Sequence, residues 1–169
     1  DAAELVKYEM SVLEQEHRAV PVPADHPNAR EIVKLGRPVP GLRFRIVDPT
    51  SGAVLGDREV GELQIAGTSV MTGYYHRPDA DAESLVDGWL RTGDLGYLVE
   101  GDVFICGRSK ELIIVNGRNY YPQDLEWEAS QVQGVRKGNV IAFGTQGRHG
   151  DRERVVIAAP CRCEACGSG

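Results

Sequence analysis

Asp94 stands in the run Trp89-Leu90-Arg91-Thr92-Gly93-Asp94-Leu95-Gly96, and Arg108 follows in Gly107-Arg108-Ser109-Lys110. Gly93 permits a backbone turn that a Cβ would crowd, and Thr92 can hydrogen-bond locally to fix the loop. A carboxylate presented in this way can accept both hydroxyls of a ribose through two short, charge-assisted bonds. Arg108 lies beyond one strand-like segment, which gives enough chain to turn back to the same cleft. Its guanidinium there would offer a fork of donors to ribose or phosphate oxygens. Taken singly, Asp94 reads more readily as a turn cap and Arg108 as a surface arginine.

The elements that must position these residues are short. Leu5, Val6, Met10 and Leu13 suggest a short amphipathic helix over residues 2–15. Pro21, Pro23 and Pro27 make residues 20–27 a connecting loop. Leu42, Phe44 and Ile46 alternate with Arg43 and Arg45 as in a half-buried strand, closed by Pro49-Thr50-Ser51-Gly52. Leu63 and Ile65 alternate with Glu62 and Gln64 in a second strand. A loop between Gly67 and Gly73 precedes a helix opened by Pro78 and running to Leu85. Val103–Cys106 and Leu112–Val115 read as apolar strands, and Asn116-Gly117 signals a tight turn. Pro122 opens a further helix with an apolar stripe at Leu125, Ala129 and Val132. Residues 139–143 and 155–159 read as strands of another sheet. The polar segment Gly107–Glu111, between two apolar strands, suggests a joint between domains.

The 169 residues suffice for one sizeable core or two small ones, and 41% hydrophobic with 26% charged residues fits a globular chain. Nineteen basic against 25 acidic residues leave a net charge of −6 without a basic run, which argues against nucleic acid as partner. No apolar stretch reaches the roughly 18 residues of a spanning helix, and no signal peptide is visible, so a cytoplasmic setting is expected. Cys106 lies in an apolar run and reads as a small buried hydrophobe. Cys161, Cys163 and Cys166, with His149, offer at most part of a zinc site; a frayed tail is the simpler reading and no metal is assigned.

The motifs gain meaning from their order. Gly61-Glu62-Leu63-x-Ile65-x-Gly67, Gly73-Tyr74-Tyr75 and Arg77-Pro78 precede the Thr-Gly-Asp segment. Gly107-Arg108 and Gly117-Arg118-Asn119-Tyr120-Tyr121-Pro122-Gln123-Asp124 follow it. Over about residues 31 to 159 this series resembles the adenylate-forming enzymes. The Asn119–Glu126 segment is especially similar to the fatty acyl-AMP ligases, and Leu5–Val22 loosely resembles the insertion those ligases carry.

The resemblance implies a strand-rich mixed α/β fold. Residues 1–107 would form the β-barrel-like end of a large adenylating domain, with 1–30 as insertion and linker. Residues 108–111 would be a hinge, and 112–169 the incomplete start of a small α+β C-terminal domain with an atypical tail. It implies that Asp94 binds the ribose hydroxyls of ATP and of an acyl-adenylate and that Arg108 contacts the same nucleotide. Lys110 would be the hinge residue, and Gly117 would lie on the small-domain loop that reaches the active site. Substrates would be a fatty acid and ATP with Mg2+, the magnesium ligands lying outside this chain. The acceptor would be the phosphopantetheine arm of an acyl carrier protein.

The family's phosphate loop and its terminal catalytic lysine find no counterpart here, since Lys7, Lys34, Lys110 and Lys137 all lie elsewhere. No catalytic residue is therefore assigned, and the chain alone is expected to be an inactive fragment. An acyl-CoA synthetase or an amino-acid adenylation domain shares the same segments. A non-catalytic, β-rich interaction module is the alternative of another class.

Overall fold

A computed structural model describes residues 5–145 and 154–160. The chain divides into two compact units, residues 1–110 and 111–169.

Among the described residues, the first unit carries a seven-stranded antiparallel sheet in the order β1-β2-β7-β6-β4-β3, with β5 paired to β6. Its strands are β1 (Leu5–Glu9), β2 (Ala29–Gly36), β3 (Leu42–Val47), β4 (Gly61–Gly67), β5 (Leu85–Val86), β6 (Trp89–Val99) and β7 (Asp102–Arg108). Helices α1 (Met10–Gln15) and α2 (Pro78–Ser84) lie between them. The strand-rich mixed fold is as expected, but the sheet is an open path and closes into no barrel.

Two expectations for the N-terminal part are corrected. Residues 2–15 do not form one helix: residues 5–9 are a strand and only 10–15 are helical. Alternation explains the strand, because Tyr8 turns into the core while Leu5 stays exposed. The proline-rich loop then leads into β2, a strand not expected from the pattern, in which Ile32 is buried and Glu31 and Val33 are exposed. Antiparallel pairing with β1, Leu5 to Val33 through Glu9 to Ala29, supplies its ladder bonds.

The sheet buries both faces at β6 and β7. On one face Tyr97 and Phe104 are direct cross-strand partners, stacked at 5.0 Å. Tyr8 meets both rings edge-on, at 5.2 and 6.0 Å, so all three aromatics sit in favourable offset or T-shaped geometry. Burial, with the Tyr8 hydroxyl alongside, holds the Tyr97 phenol far above the ordinary phenol range. On the other face Ile46, Leu63 and Val103 form an aliphatic cluster, with Leu98 and Ile105 packed against it.

Glu62 and Gln64 are not the solvated half of β4; both are 5% exposed. Each is matched across the sheet. Arg91 Nε donates to Glu62 at 2.9 Å, and the Arg45 guanidinium donates through Nε and Nη2 to Gln64 Oε1. Arg43 and Arg45 both lie over the Trp89 ring, at 5.1 and 4.2 Å from its centre. Burial of polar groups is tolerable because they are paired.

The second unit contains β8 (Ile113–Val115), β9 (Arg118–Tyr120), α3 (Pro122–Ser130), β10 (Ile141–Thr145) and β11 (Arg154–Ala158). Two antiparallel hairpin-like pairs, β8–β9 and β10–β11, flank the helix in sequence. The Asn116-Gly117 turn forms as read, with φ of 53° and 75°. The apolar stripe on α3 is shorter than expected: the helix ends at Ser130, and Val132 lies outside it and exposed. Cys106 is buried as expected, whereas His149, Cys161, Cys163 and Cys166 lie outside the described residues.

Gly96 shows how tightly β6 and β7 approach. A Cβ there would stand 2.3 Å from the carbonyl oxygen of Phe104, a backbone atom that cannot rotate away. Gly96→Ala is expected to destabilise the protein by more than about 2 kcal/mol. Urea unfolding followed by circular dichroism measures this, and an unchanged midpoint would contradict it.

A candidate nucleotide site on a bulged hairpin

Strands β6 and β7 are joined by Glu100-Gly101, both with positive φ (52° and 88°), the pattern of a two-residue hairpin turn. The turn is tied down by side chains. Asp57 Oδ2 accepts from the Glu100 N–H at 2.8 Å, and Arg37 Nη2 donates to the Glu100 carbonyl at 3.0 Å.

From the turn the ladder runs Val99–Asp102, Leu98–Val103, Tyr97–Phe104 and Gly96–Ile105, and then shifts to Leu95–Gly107 and Asp94–Arg108. Strand β7 therefore contributes one extra residue, Cys106, to a β-bulge. The shift sets Asp94 directly opposite Arg108, and Arg108 Nε donates to Asp94 Oδ1 at 3.0 Å. The chain does turn back to the same place, through an antiparallel ladder.

Thr92-Gly93-Asp94 is part of strand β6, not a separate loop. On the β4 side Glu62 pairs with Leu95 and Gln64 with Arg91, so Leu63 alone faces residues 92–94. The excess makes an irregularity in the ladder, and Gly93 takes a φ of 75° that most side chains resist. The Thr92 hydroxyl bonds both ways: it donates to the Leu63 carbonyl at 2.8 Å and accepts from the Asp94 N–H at 3.0 Å. The Gly93 carbonyl accepts from the Ser109 N–H at 2.9 Å.

Among the described residues, Asp94 Oδ2 has no hydrogen-bond partner, and the side chain is 28% exposed. Arg108 is 62% exposed, so the pair adds on the order of 0–1 kcal/mol to stability. Its arrangement is better suited to binding: one carboxylate oxygen is steadied by the guanidinium and the other is open. Vicinal hydroxyls fit that geometry, since each can donate to an anionic oxygen.

Lys110 lies in the exposed turn that follows β7, at the last residue of the first unit. Gly117 is at the β8–β9 turn of the second unit, where no atom lies within 4 Å of a Cβ built on it. The structure thus joins Asp94 and Arg108 in one site. Among the described residues, no three His, Cys, Asp or Glu side chains come together to hold a metal ion. No helix among the described residues is long and apolar enough to cross a membrane.

Comparison with known proteins matches this picture. The family model for AMP-binding enzymes matches residues 13–75. The long-chain-fatty-acid–AMP ligase FadD32 of Mycolicibacterium smegmatis is 38% identical over 145 residues, 75% of this chain and 23% of that protein. Acyl-CoA ligase clz12 of Cochliobolus lunatus is 36% identical over 132 residues, 78% of this chain and 37% of that one. A solved structure from work on the fatty acyl-adenylate ligases of E. coli and L. pneumophila superposes with a TM-score of 0.84 at 33% identity. That match covers 96% of this chain and 28% of the solved one. The chain belongs to the adenylate-forming family of AMP-binding enzymes. It spans about a quarter of the length of FadD32 and of the solved ligase. The family resemblance read from the ordered motifs is borne out.

Several supporting residues of this adenylate-forming segment were not read as functional, although Leu63 and Ser109 stand inside the motifs. Cys106 acts through its position as the extra residue, Ser109 through its N–H, and Leu63 through its carbonyl. Backbone groups of that kind leave no mark on residue type. Thr92→Val removes the hydroxyl that joins Leu63 to Asp94, and is expected to cost about 1–3 kcal/mol. Thr92→Ser should cost much less, and equal urea midpoints for the two variants would contradict the bridging role.

Proposed function

We propose that this chain is the ribose-binding and pivot-bearing part of a longer fatty acyl-AMP ligase. The observation that carries the reading is the Asp94 carboxylate, steadied at Oδ1 by Arg108 with Oδ2 open. Asp94 would accept the ribose hydroxyls of ATP and then of the acyl-adenylate. Arg108 would hold the carboxylate in place and donate to the same nucleotide with its remaining N–H groups. Family membership, the likeness to FadD32 and the likeness to the solved fatty acyl-adenylate ligases support the fatty acid as substrate.

In the reaction of the complete enzyme, a fatty acid carboxylate oxygen attacks the α-phosphorus of ATP. The bond to the β-phosphate oxygen breaks and pyrophosphate leaves. The product is a mixed anhydride whose acyl carbon is a far better electrophile than the carboxylate. The thiol of a carrier protein's phosphopantetheine arm, on losing its proton, attacks that carbon and displaces AMP. Magnesium would neutralise the phosphate charge; its ligands and those of the triphosphate would come from other parts of the protein. Fixing the ribose holds the α-phosphorus against the acid, an orientation effect that lowers the barrier to both steps.

Residues 1–107 would belong to the large adenylating domain and 112–169 to the small one, with 108–111 as the hinge. Lys110 would be the pivot, its exposed turn absorbing the change in φ and ψ as the small domain rotates. Gly117, on its sharp turn, would ride on the loop presented to the active site. An acyl-CoA synthetase would use the same ribose site, so the acceptor decides between the two. Acyl transfer to carrier protein with none to free coenzyme A supports the ligase, and the reverse overturns it.

Two substitutions in the complete enzyme test the residue roles. Asp94→Ala should lower kcat/KM for ATP by an amount equivalent to about 2–4 kcal/mol, because two charge-assisted bonds are lost. Kinetics equal to the wild type would make Asp94 a turn residue only. Lys110→Ala should be mild, whereas Lys110→Pro fixes φ near −65° and removes an N–H. Pyrophosphate release and acyl loading of carrier protein, measured separately, should show the proline variant sparing the first more than the second. Equal loss of both in a folded variant would remove Lys110 as the pivot.

A further inference from the structure

We propose that Arg30 is a positioning residue for the Asp94–Arg108 pair, acting through the carbonyl of the bulge residue Cys106. The pair exists because of that bulge. Were the ladder to continue unshifted from Gly96–Ile105, Asp94 would face Gly107 and Arg108 would face Gly93. A bulge leaves its extra residue outside the ladder. Cys106 is only 3% exposed, so its carbonyl needs a partner within the protein.

Arg30 Nη2 donates to that carbonyl at 2.7 Å, across 76 residues of sequence. Strand β2 is in register with β7 over only part of its length. Its pairs with β7 are Gly36–Val103 and Lys34–Phe104 and go no further, while Arg30 lies beyond them on the same strand. A charged side chain takes over where the two backbones part. Arg30 is itself seated opposite Tyr8 on β1, and Tyr8 packs against Tyr97 and Phe104. The aromatic core, the guanidinium and the bulge thus form one connected support behind the pair. Charge-assisted bonds to buried acceptors are among the stronger ones and costly to remove.

The inference deepens the ribose-binding reading and rests on it, since the position of the pair matters to function only if it binds. The 169-residue chain carries the test. Arg30→Met keeps the bulk of the stem and removes the donor. Amide exchange followed by NMR is expected to quicken about tenfold at the Ser109 N–H and at Arg108 Nε, with Leu98 and Val103 unchanged. Arg30→Lys, which keeps a charged donor, should fall between, and it carries the comparison if the methionine variant does not fold. Wild-type exchange at Ser109 and Arg108 in the folded variant overturns the proposal. So does equal quickening along the whole hairpin, or collapse of both variants, since either marks a general structural role.

Titration with AMP separates this inference from the reading beneath it. In the wild-type chain, shifts at Gly93, Asp94 and Arg108 support ribose binding, and several-fold weaker binding in Arg30→Met supports the positioning role. Absence of any shift in the wild type removes the ribose reading alone, and the exchange measurement still decides whether Arg30 holds the bulge.

Discussion

The register shift between β6 and β7 is the constraint on which the candidate site depends. Period-2 alternation means that one extra residue changes which side chains meet across a ladder. Below the shift the hairpin is a regular core element, with Tyr97 stacked on Phe104 and both packed against Tyr8. Above it the same two strands present a carboxylate and a guanidinium to each other. Next to the shift the strands approach closely, with Gly96 against the Phe104 carbonyl. A sheet with both faces buried locks the lower register, so the upper one has little freedom to slip.

Backbone carbonyls, each with a dedicated donor, hold the bulged segments. Thr92 donates to Leu63 O, Ser109 N–H to Gly93 O, and Arg30 to Cys106 O. Irregular backbone within a sheet is tolerable when its polar groups are satisfied in this way. Binding groups mounted on strands keep their geometry better than groups on a free loop, because the ladder on either side fixes their φ and ψ. An exposed pair such as Asp94 and Arg108 contributes little to folding. On the proposed ribose-binding role, a pair already held in place would receive its ligand without first having to be ordered.

Residue types and their spacing were enough to indicate several parts of this protein. Glycine, proline and asparagine have conformational preferences that are local, so the Asn116-Gly117 turn and the helices opened by Pro78 and Pro122 were visible before any contact was known. The ordered series of glycine-anchored motifs was enough to indicate the adenylate-forming family, because several weak patterns in fixed order are rarely accidental. Asp94 and Arg108 were legible as residue types able to receive a ribose. Their meeting through a one-residue bulge at Cys106 was not, since register is a property of two strands and of the core that fixes them. The same holds for β2, whose ladder bonds come from β1 and β7, and for Glu62 and Gln64, whose burial makes sense only with Arg91 and Arg45 across the sheet. Arg30 is the clearest case. In sequence it is one charged residue in a segment without a strand pattern, and only the tertiary structure brings its guanidinium to a carbonyl 76 residues away. Local chemistry can be read along a chain, whereas the partner that satisfies a buried polar group is chosen by the fold.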